Sequence, residues 1–198
     1  MNKLITACTI ALLLITSNAF AANPKVRMET TQGTVIIELY PDKAPVTVEN
    51  FLRYVNEGKY EGTIFHRVIK GFMNQGGGFT PELKRVDRHG PIINEADNGL
   101  SNKRGTIAMA RTGDPNSATN QFFINTVDNA NLDHTSKTPR GWGYCVFGTV
   151  VDGMDVMDRI ADLPTGPRAP LPGSSIPQTD VVILKTSVIE QADKQKKP

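Results

Sequence analysis

The sequence predicts a mainly β domain: an antiparallel sheet closed on itself, with two α-helices covering its ends. Three observations point there. Short alternating or continuous apolar segments, rich in Val, Ile and Phe, recur between turn-forming Gly, Pro, Asn and Asp. Only two segments carry helical spacing of their apolar residues. The 198 residues, 39% hydrophobic and 21% charged, suit one domain with a core of its own. Pattern alone does not choose between barrel and sandwich. A formal net charge of +2 gives no reason to expect a nucleic-acid partner, which needs a concentrated basic face.

Residues 1–21 read as a leader. Lys3 gives a positive start, residues 4–15 are apolar apart from Thr6, Cys8 and Thr9, and Ala19-Phe20-Ala21 has the small-x-small form of a signal-peptidase site. The apolar run is too short for a stable membrane-spanning helix. Cleavage after Ala21 and export are therefore expected, to the periplasm or, as the alternative, as a secreted or surface-associated protein. Cys8 follows Ile5-Thr6-Ala7, which loosely resembles a lipoprotein box, but almost no hydrophobic stretch precedes it. Losing the leader removes one of two cysteines. Cys145 is then without an intramolecular disulfide partner, and its apolar setting suits a small buried hydrophobe rather than a nucleophile. Residues 22–190 form the domain, and the polar, lysine-rich residues 191–198 read as a disordered tail.

Within the domain, residues 25–30 and 34–40 alternate as strands around a tight turn at Thr31-Gln32-Gly33. Pro45 suits a first helical turn, Val48, Phe51, Leu52 and Val55 share one face, and Gly58 is a natural stop. Residues 63–68 and 72–76 read as a hairpin turning at Lys70-Gly71. Residues 77–100 are loop-rich, with Ile92-Ile93 as the one strand candidate. Residues 105–110 and 121–125 are strands separated by the turn-forming Thr112-Gly113-Asp114-Pro115-Asn116. Residues 125–143 are polar and read as surface loop. Residues 144–151 are a β-branched strand, followed by the helically spaced Met154, Met157, Ile160 and Ala161. Residues 162–178 carry five prolines and read as an extended loop, and 181–189 is the last strand.

The hairpin is where chemistry concentrates. Phe65-His66-Arg67-Val68-Ile69 sets one arginine in an apolar run, and Phe72-Met73-Asn74-Gln75-Gly76-Gly77-Gly78 returns with apolar side chains, an amide and glycines. Folded back, it brings Arg67 and Gln75 into one neighbourhood; alone, it is equally a plain hairpin with a snorkelling arginine. A second stretch decides otherwise: Met109-Ala110-Arg111, then Ser117-Ala118-Thr119-Asn120-Gln121-Phe122-Phe123-Ile124. Together the two resemble the signatures of the cyclophilins, the peptidyl-prolyl cis/trans isomerases, over residues 26–190, and Gly141-Trp142-Gly143-Tyr144-Cys145-Val146-Phe147 looks like the bacterial branch.

That resemblance implies an eight-stranded antiparallel barrel capped by two helices, and catalysis of rotation about X-Pro bonds that assists folding of exported proteins. It implies Arg67 as the catalytic arginine and Gln75 as the amide positioning it. Phe72, Met73, Phe123 and Leu132 correspond to the proline pocket, Ala110 and Arg111 to the segment whose backbone pairs with an extended peptide, and Gln121 to its border. The family's pocket histidine aligns with Tyr144. Its loop aromatic aligns with Asn131, so weak cyclosporin binding is expected unless Trp142 fills that gap. No cofactor is implied, His66 is expected to pack in its strand, and the three histidines have no ligand spacing for a metal. Partners are flexible proline-containing polypeptides, without nucleic acid or membrane insertion, and the protein is expected to be a monomer. The rival reading is a module that captures proline segments without turning them over; Arg67 separates the two, because capture needs only the apolar pocket.

Overall fold

The computed structural model describes residues 22–189, so the leader expected over 1–21 and the tail over 191–198 lie outside the described residues. Strands β1 (Lys25–Thr30) and β2 (Gly33–Leu39) form the expected first hairpin, with Val26, Met28, Val35, Ile37 and Leu39 all buried. Helix α1 (Pro45–Asn56) begins at a proline and buries Val48, Phe51, Tyr54 and Val55. Its N-cap, Ala44, has no side-chain acceptor; instead Glu95, from the distant loop, accepts from Val46 N, Thr47 N and Thr47 Oγ1 at 3.2, 2.8 and 2.7 Å. Strands β3 (Phe65–Ile69), β4 (Met73–Gly76), β5 (Thr106–Met109), β6 (Phe122–Asn125) and β7 (Val146–Asp152) follow, then α2 (Met154–Ala161), β8 (Thr165–Arg168), β9 (Leu171–Pro177) and β10 (Ile183–Ile189).

The main sheet is eight-stranded, with every pair antiparallel, in the order β10-β1-β2-β7-β5-β6-β4-β3. The expected closure is corrected: the sheet curls but stays open between β3 and β10. The chain enters β3 after a turn around Gly62 and β10 after Asp180, and the two edges meet at the isolated bridge Ile64–Val182, with Gly62 N donating to Ile183 O, Phe65 N to Val181 O and Ile183 N to Thr63 O. A second correction covers this seam. Residues 162–178 are not an extended loop but contain the two-stranded hairpin β8–β9. Leu171 on it packs with Ile64, Phe79, Leu83 and Val182, so the open edge is shielded from strand addition. Its prolines masked the hairpin, since they read as strand breakers; Pro167 and Pro170 lie in or beside a two-stranded ribbon, where a missing N–H is tolerated.

The core fills the inside of the curl. Phe51 from α1 meets Phe122 edge-on at 5.7 Å and Phe147 at 5.2 Å, and Tyr60 and Phe65 also stand edge-on to Phe122. Cys145 is 3% exposed, and burial pushes its thiol up to about 12, so it is inert packing as expected. Ile92 makes only an isolated bridge to Ala118. Residues 125–143 are not wholly surface: Asn125, Thr126, Asn129 and Gly143 are buried, which their polarity hid.

Candidate active site

Alternation along the strands lays a second apolar cluster on the outside of the curl. In β6 Phe122 and Ile124 point into the core while Phe123 points out; in β5 Ile107 and Met109 point in and Ala108 out. Met73, Ala108, Phe123 and Val146 are the buried members of this outer cluster, with Phe72, Ala110, Leu132 and Tyr144 partly buried around them. They floor a cavity of about 200 Å³ lined by Arg67, Phe72, Met73, Gln75, Ala110, Arg111, Phe123, Leu132 and Tyr144. Nine of the ten residues expected from the sequence therefore share one cavity. The tenth, Gln121, stands just beside it and accepts from Gln75 Nε2 at 2.9 Å.

Arg67 reaches this face because of a bulge. Phe65 and Arg67 are two apart and would point the same way in a regular strand, yet Phe65 lies in the core and Arg67 is exposed. The β3–β4 register shifts between them, Phe65 opposing Gly76 and Arg67 opposing Gln75, and the extra residue, His66, turns the arginine outward. Its Nη1 makes one long contact, 3.4 Å to Gln75 Oε1. It has no ion pair among the described residues, so a permanent charge with most of its five donors free stands over an apolar floor. His66 packs edge-on against Phe79 at 4.7 Å, and burial lowers its imidazole to about 4, so it is neutral at physiological pH, as expected of a packed histidine.

The rim is held by bonds that sequence reading did not find. Asn102, 1% exposed, donates through Nδ2 to Leu132 O, Asp133 Oδ1 and Tyr144 O at 3.2, 3.0 and 3.3 Å, and accepts from Asn125 Nδ2 at 3.2 Å. Asn129 donates to Asn125 Oδ1 at 2.7 Å and to Phe72 O at 2.9 Å. Three buried amides thus pin the carbonyls of Phe72, Leu132 and Tyr144, all pocket residues. The sequence signal was the density of asparagines at 125, 129 and 131, in a segment read as solvent-exposed; Asn102 carried none. Arg111 is likewise committed to structure: it donates to Gly143, Thr112 and Pro139 carbonyls and stacks over Tyr144 at 4.7 Å. Tyr144 in turn stands edge-on to Phe123 at 5.6 Å.

Two details concern the loops. A Cβ on Gly78 would lie 2.6 Å from Gln121 Cδ, so the glycine run lets Gln121 lie flat against the backbone beside Gln75. Trp142 does not fill the gap left by Asn131: its Nε1 donates to Asn94 O at 3.0 Å and its ring packs toward the core, while Asn131 is exposed on the outer rim. Among the described residues no group of three His, Cys, Asp or Glu side chains is placed to hold a metal ion.

Comparison with known proteins identifies relatives along almost the whole described chain. The family model described as cyclophilin type peptidyl-prolyl cis-trans isomerase/CLD matches residues 25–188. The chain is 54% identical over 165 residues to peptidyl-prolyl cis-trans isomerase B of Escherichia coli (strain K12), covering 83% of this chain and 99% of that one. It is 60% identical over 141 residues to peptidyl-prolyl cis-trans isomerase cyp18 of Streptomyces antibioticus, covering 71% and 85%. To peptidyl-prolyl cis-trans isomerase A of Dickeya dadantii (strain 3937) it is 48% identical over 195 residues, covering 96% and 100%. Among solved structures, a cyclophilin type isomerase of Cryptosporidium parvum superposes with a TM-score of 0.67 at 26% identity, covering 86% and 99%. The same protein in the presence of the dipeptide Ala-Pro gives 0.66 at 26% identity, covering 84% and 99%.

Proposed function

The chain belongs to the cyclophilin-type peptidyl-prolyl cis-trans isomerases, with bacterial relatives at 48%, 54% and 60% identity, and on that premise we propose that the groove under Arg67 carries the isomerase activity. The observation that carries the assignment is a guanidinium with no ion pair among the described residues and one long hydrogen bond, standing at a cavity floored by apolar side chains. Rotation about X-Pro is opposed by a barrier of about 18–20 kcal/mol, because the nitrogen lone pair is delocalised into the carbonyl. No bond need break. The catalyst must hold the prolyl ring, leave the preceding carbonyl free to swing, and favour the twisted geometry in which the lone pair is localised on nitrogen.

Each residue then has a role. The ring sits among Phe72, Met73, Phe123 and Leu132, with Tyr144 as a wall; burying about three ring methylenes contributes about 2 kcal/mol of positioning. Arg67 donates to the prolyl nitrogen as its lone pair localises, an interaction stronger in the twisted state than in the planar one. Gln75 orients the guanidinium and is itself held by Gln121. The N–H of Ala110 already donates to Gln121 O at 2.9 Å, so its carbonyl is what an extended peptide meets. Arg111 acts by positioning Tyr144. Substrates are flexible proline-containing polypeptides; the Cryptosporidium relative's structure with Ala-Pro supports this substrate class.

The leader at residues 1–21 supports export to the periplasm, and exported proteins as the clients, with a secreted or surface-associated location as the alternative. Among the described residues four large hydrophobic side chains are exposed, Ile93, Val151 and, on β10, Leu184 and Val188; with no more than two on any one element, they support a monomer. The test of the site is turnover of a short X-Pro peptide by the protein and by Arg67→Ala, alongside peptide binding. Fast turnover that collapses in the variant, with binding kept, is expected. Equal turnover by both places the chemistry elsewhere, and binding without turnover by either makes the groove a capture site. N-terminal sequencing of protein recovered from a periplasmic extract is expected to begin at Ala22; a cytoplasmic chain beginning at Met1 rules export out.

A further inference from the structure

The net charge of +2 conceals a strongly uneven distribution around the groove. A second cavity of about 230 Å³ adjoins the first, sharing Gln75, Ala110 and Arg111 with it, and is further lined by Arg85, Arg88, Thr119 and Gln121. A third, outward pocket is lined by Arg111, Asn131, Leu132, Arg140 and Tyr144. Among the described residues five arginines thus border the groove, and no acidic residue lines any of its three parts. Arg85 and Arg88 are both exposed, and neither has an ion pair among the described residues. The carboxylate between them in sequence, Asp87, is drawn away to Lys59 at 3.3 Å. Asp114, near the opposite wall, accepts from Asn116 N at 2.9 Å within its own turn.

Arg85 is also well placed to act as a fixed charge. It stands on a tight loop whose backbone is bonded from Thr80 N to Lys84 O and from Val86 N to Gly78 O, and its guanidinium lies 5.0 Å over the Phe79 ring. A cation that a fold leaves unpaired beside a substrate groove is free to meet an anion on the substrate. An extended peptide advances about 3.3 Å per residue, so a residue one to three places from the proline falls over this second cavity while the proline occupies the first.

We propose that Arg85 and Arg88 are specificity-determining residues, which make the enzyme prefer segments carrying Asp or Glu within three residues of the X-Pro bond. The inference rests on the reading of the first cavity as the proline site. The test uses capped peptides with one X-Pro bond and Glu, Gln or Lys at each of the three positions on either side. Both turnover and affinity are measured for the protein and for the doubly substituted Arg85→Glu, Arg88→Glu variant. The Glu-to-Lys ratio of kcat/KM is expected to be roughly three- to tenfold at one position, to fall toward unity in high salt, and to be lost or inverted in the variant. A ratio near unity at every position overturns the proposal, and so does a ratio that survives in the variant. An oligonucleotide that displaces the Gln peptide better than a Glu peptide of equal charge overturns it in favour of nucleic acid. Failure of the Gln peptide to turn over is a different result. It strikes the proline-site reading, while the affinities of the same peptides still decide the charge preference.

Discussion

The two faces of strands β4 to β7 are built from similar residues and do opposite things. Inward, Phe122, Ile124, Ile107 and Phe147 are fully buried members of the core cluster that also holds Phe51, Tyr60 and Phe65. Outward, Phe123, Met73, Ala108 and Val146 are buried from below but roofed by a half-covered ring of Phe72, Leu132 and Tyr144, and an unpaired arginine stands over them. The inner face has its partners inside the molecule, whereas the outer face is left as an open cavity of about 200 Å³, which the proposed function gives to the prolyl ring. On that proposal adjacent residues in one strand, Phe122 and Phe123, answer to different demands, stability for one and recognition for the other.

Substitutions can break that contrast. The largest effect on the fold is expected from Phe122→Ala, which opens a void among the three rings of Phe51, Tyr60 and Phe65 and costs about 3–5 kcal/mol, read as a lowered urea midpoint. A midpoint within experimental error of the parent contradicts its place in the core. Next is Asn102→Ala. It frees the Leu132 and Tyr144 carbonyls and leaves Asn125 short of a partner, costing about 1–3 kcal/mol, with KM raised several-fold because the rim loosens. A stability loss with unchanged KM would show that the amides serve the fold alone.

The third effect is confined to acid. His66 in the folded protein titrates near 4 against an ordinary 6.5, so the unfolded chain takes up its proton first as pH falls. The stability it contributes is present above pH 6.5 and lost between 6.5 and 4. His66→Gln is expected to flatten that part of the stability profile while isomerase turnover between pH 6.5 and 8 stays level in the parent. A parent turnover profile that bends near pH 6.5 would mean that a histidine takes part in the chemistry. The smallest expected signal is cyclosporin binding. With Asn131 at the rim and the Trp142 indole bonded to Asn94, titration is expected to show weak affinity, and nanomolar binding would contradict this account.

Much of this was legible in the sequence, and the rest was hidden for identifiable reasons. Alternation exposed β1, β2, β5 and β6, and the two helices followed from apolar spacing. The site residues were legible only through family signatures, since core packing explains Phe72, Met73 and Phe123 equally well until Arg67 is placed beside them. What made that placement possible, the bulge at His66, has no sequence mark: Phe65-His66-Arg67-Val68 reads as regular strand. The amide network was missed because buried asparagines look like surface ones until their partners are known. The unclosed seam and the β8–β9 hairpin depend on how distant turns meet, which local pattern does not encode. The cation ring was averaged away in the net charge.

The central claim is that Arg67 acts on the twisted state rather than on binding. Its most direct test is to measure kcat, KM and the urea midpoint of Arg67→Ala on one X-Pro peptide. The account predicts kcat lower by roughly 10²–10³, as for loss of one transition-state donor, with KM within about threefold and the midpoint unchanged for an exposed side chain. A raised KM with kcat preserved would contradict it, making Arg67 a binding residue and leaving the rotation without its catalyst.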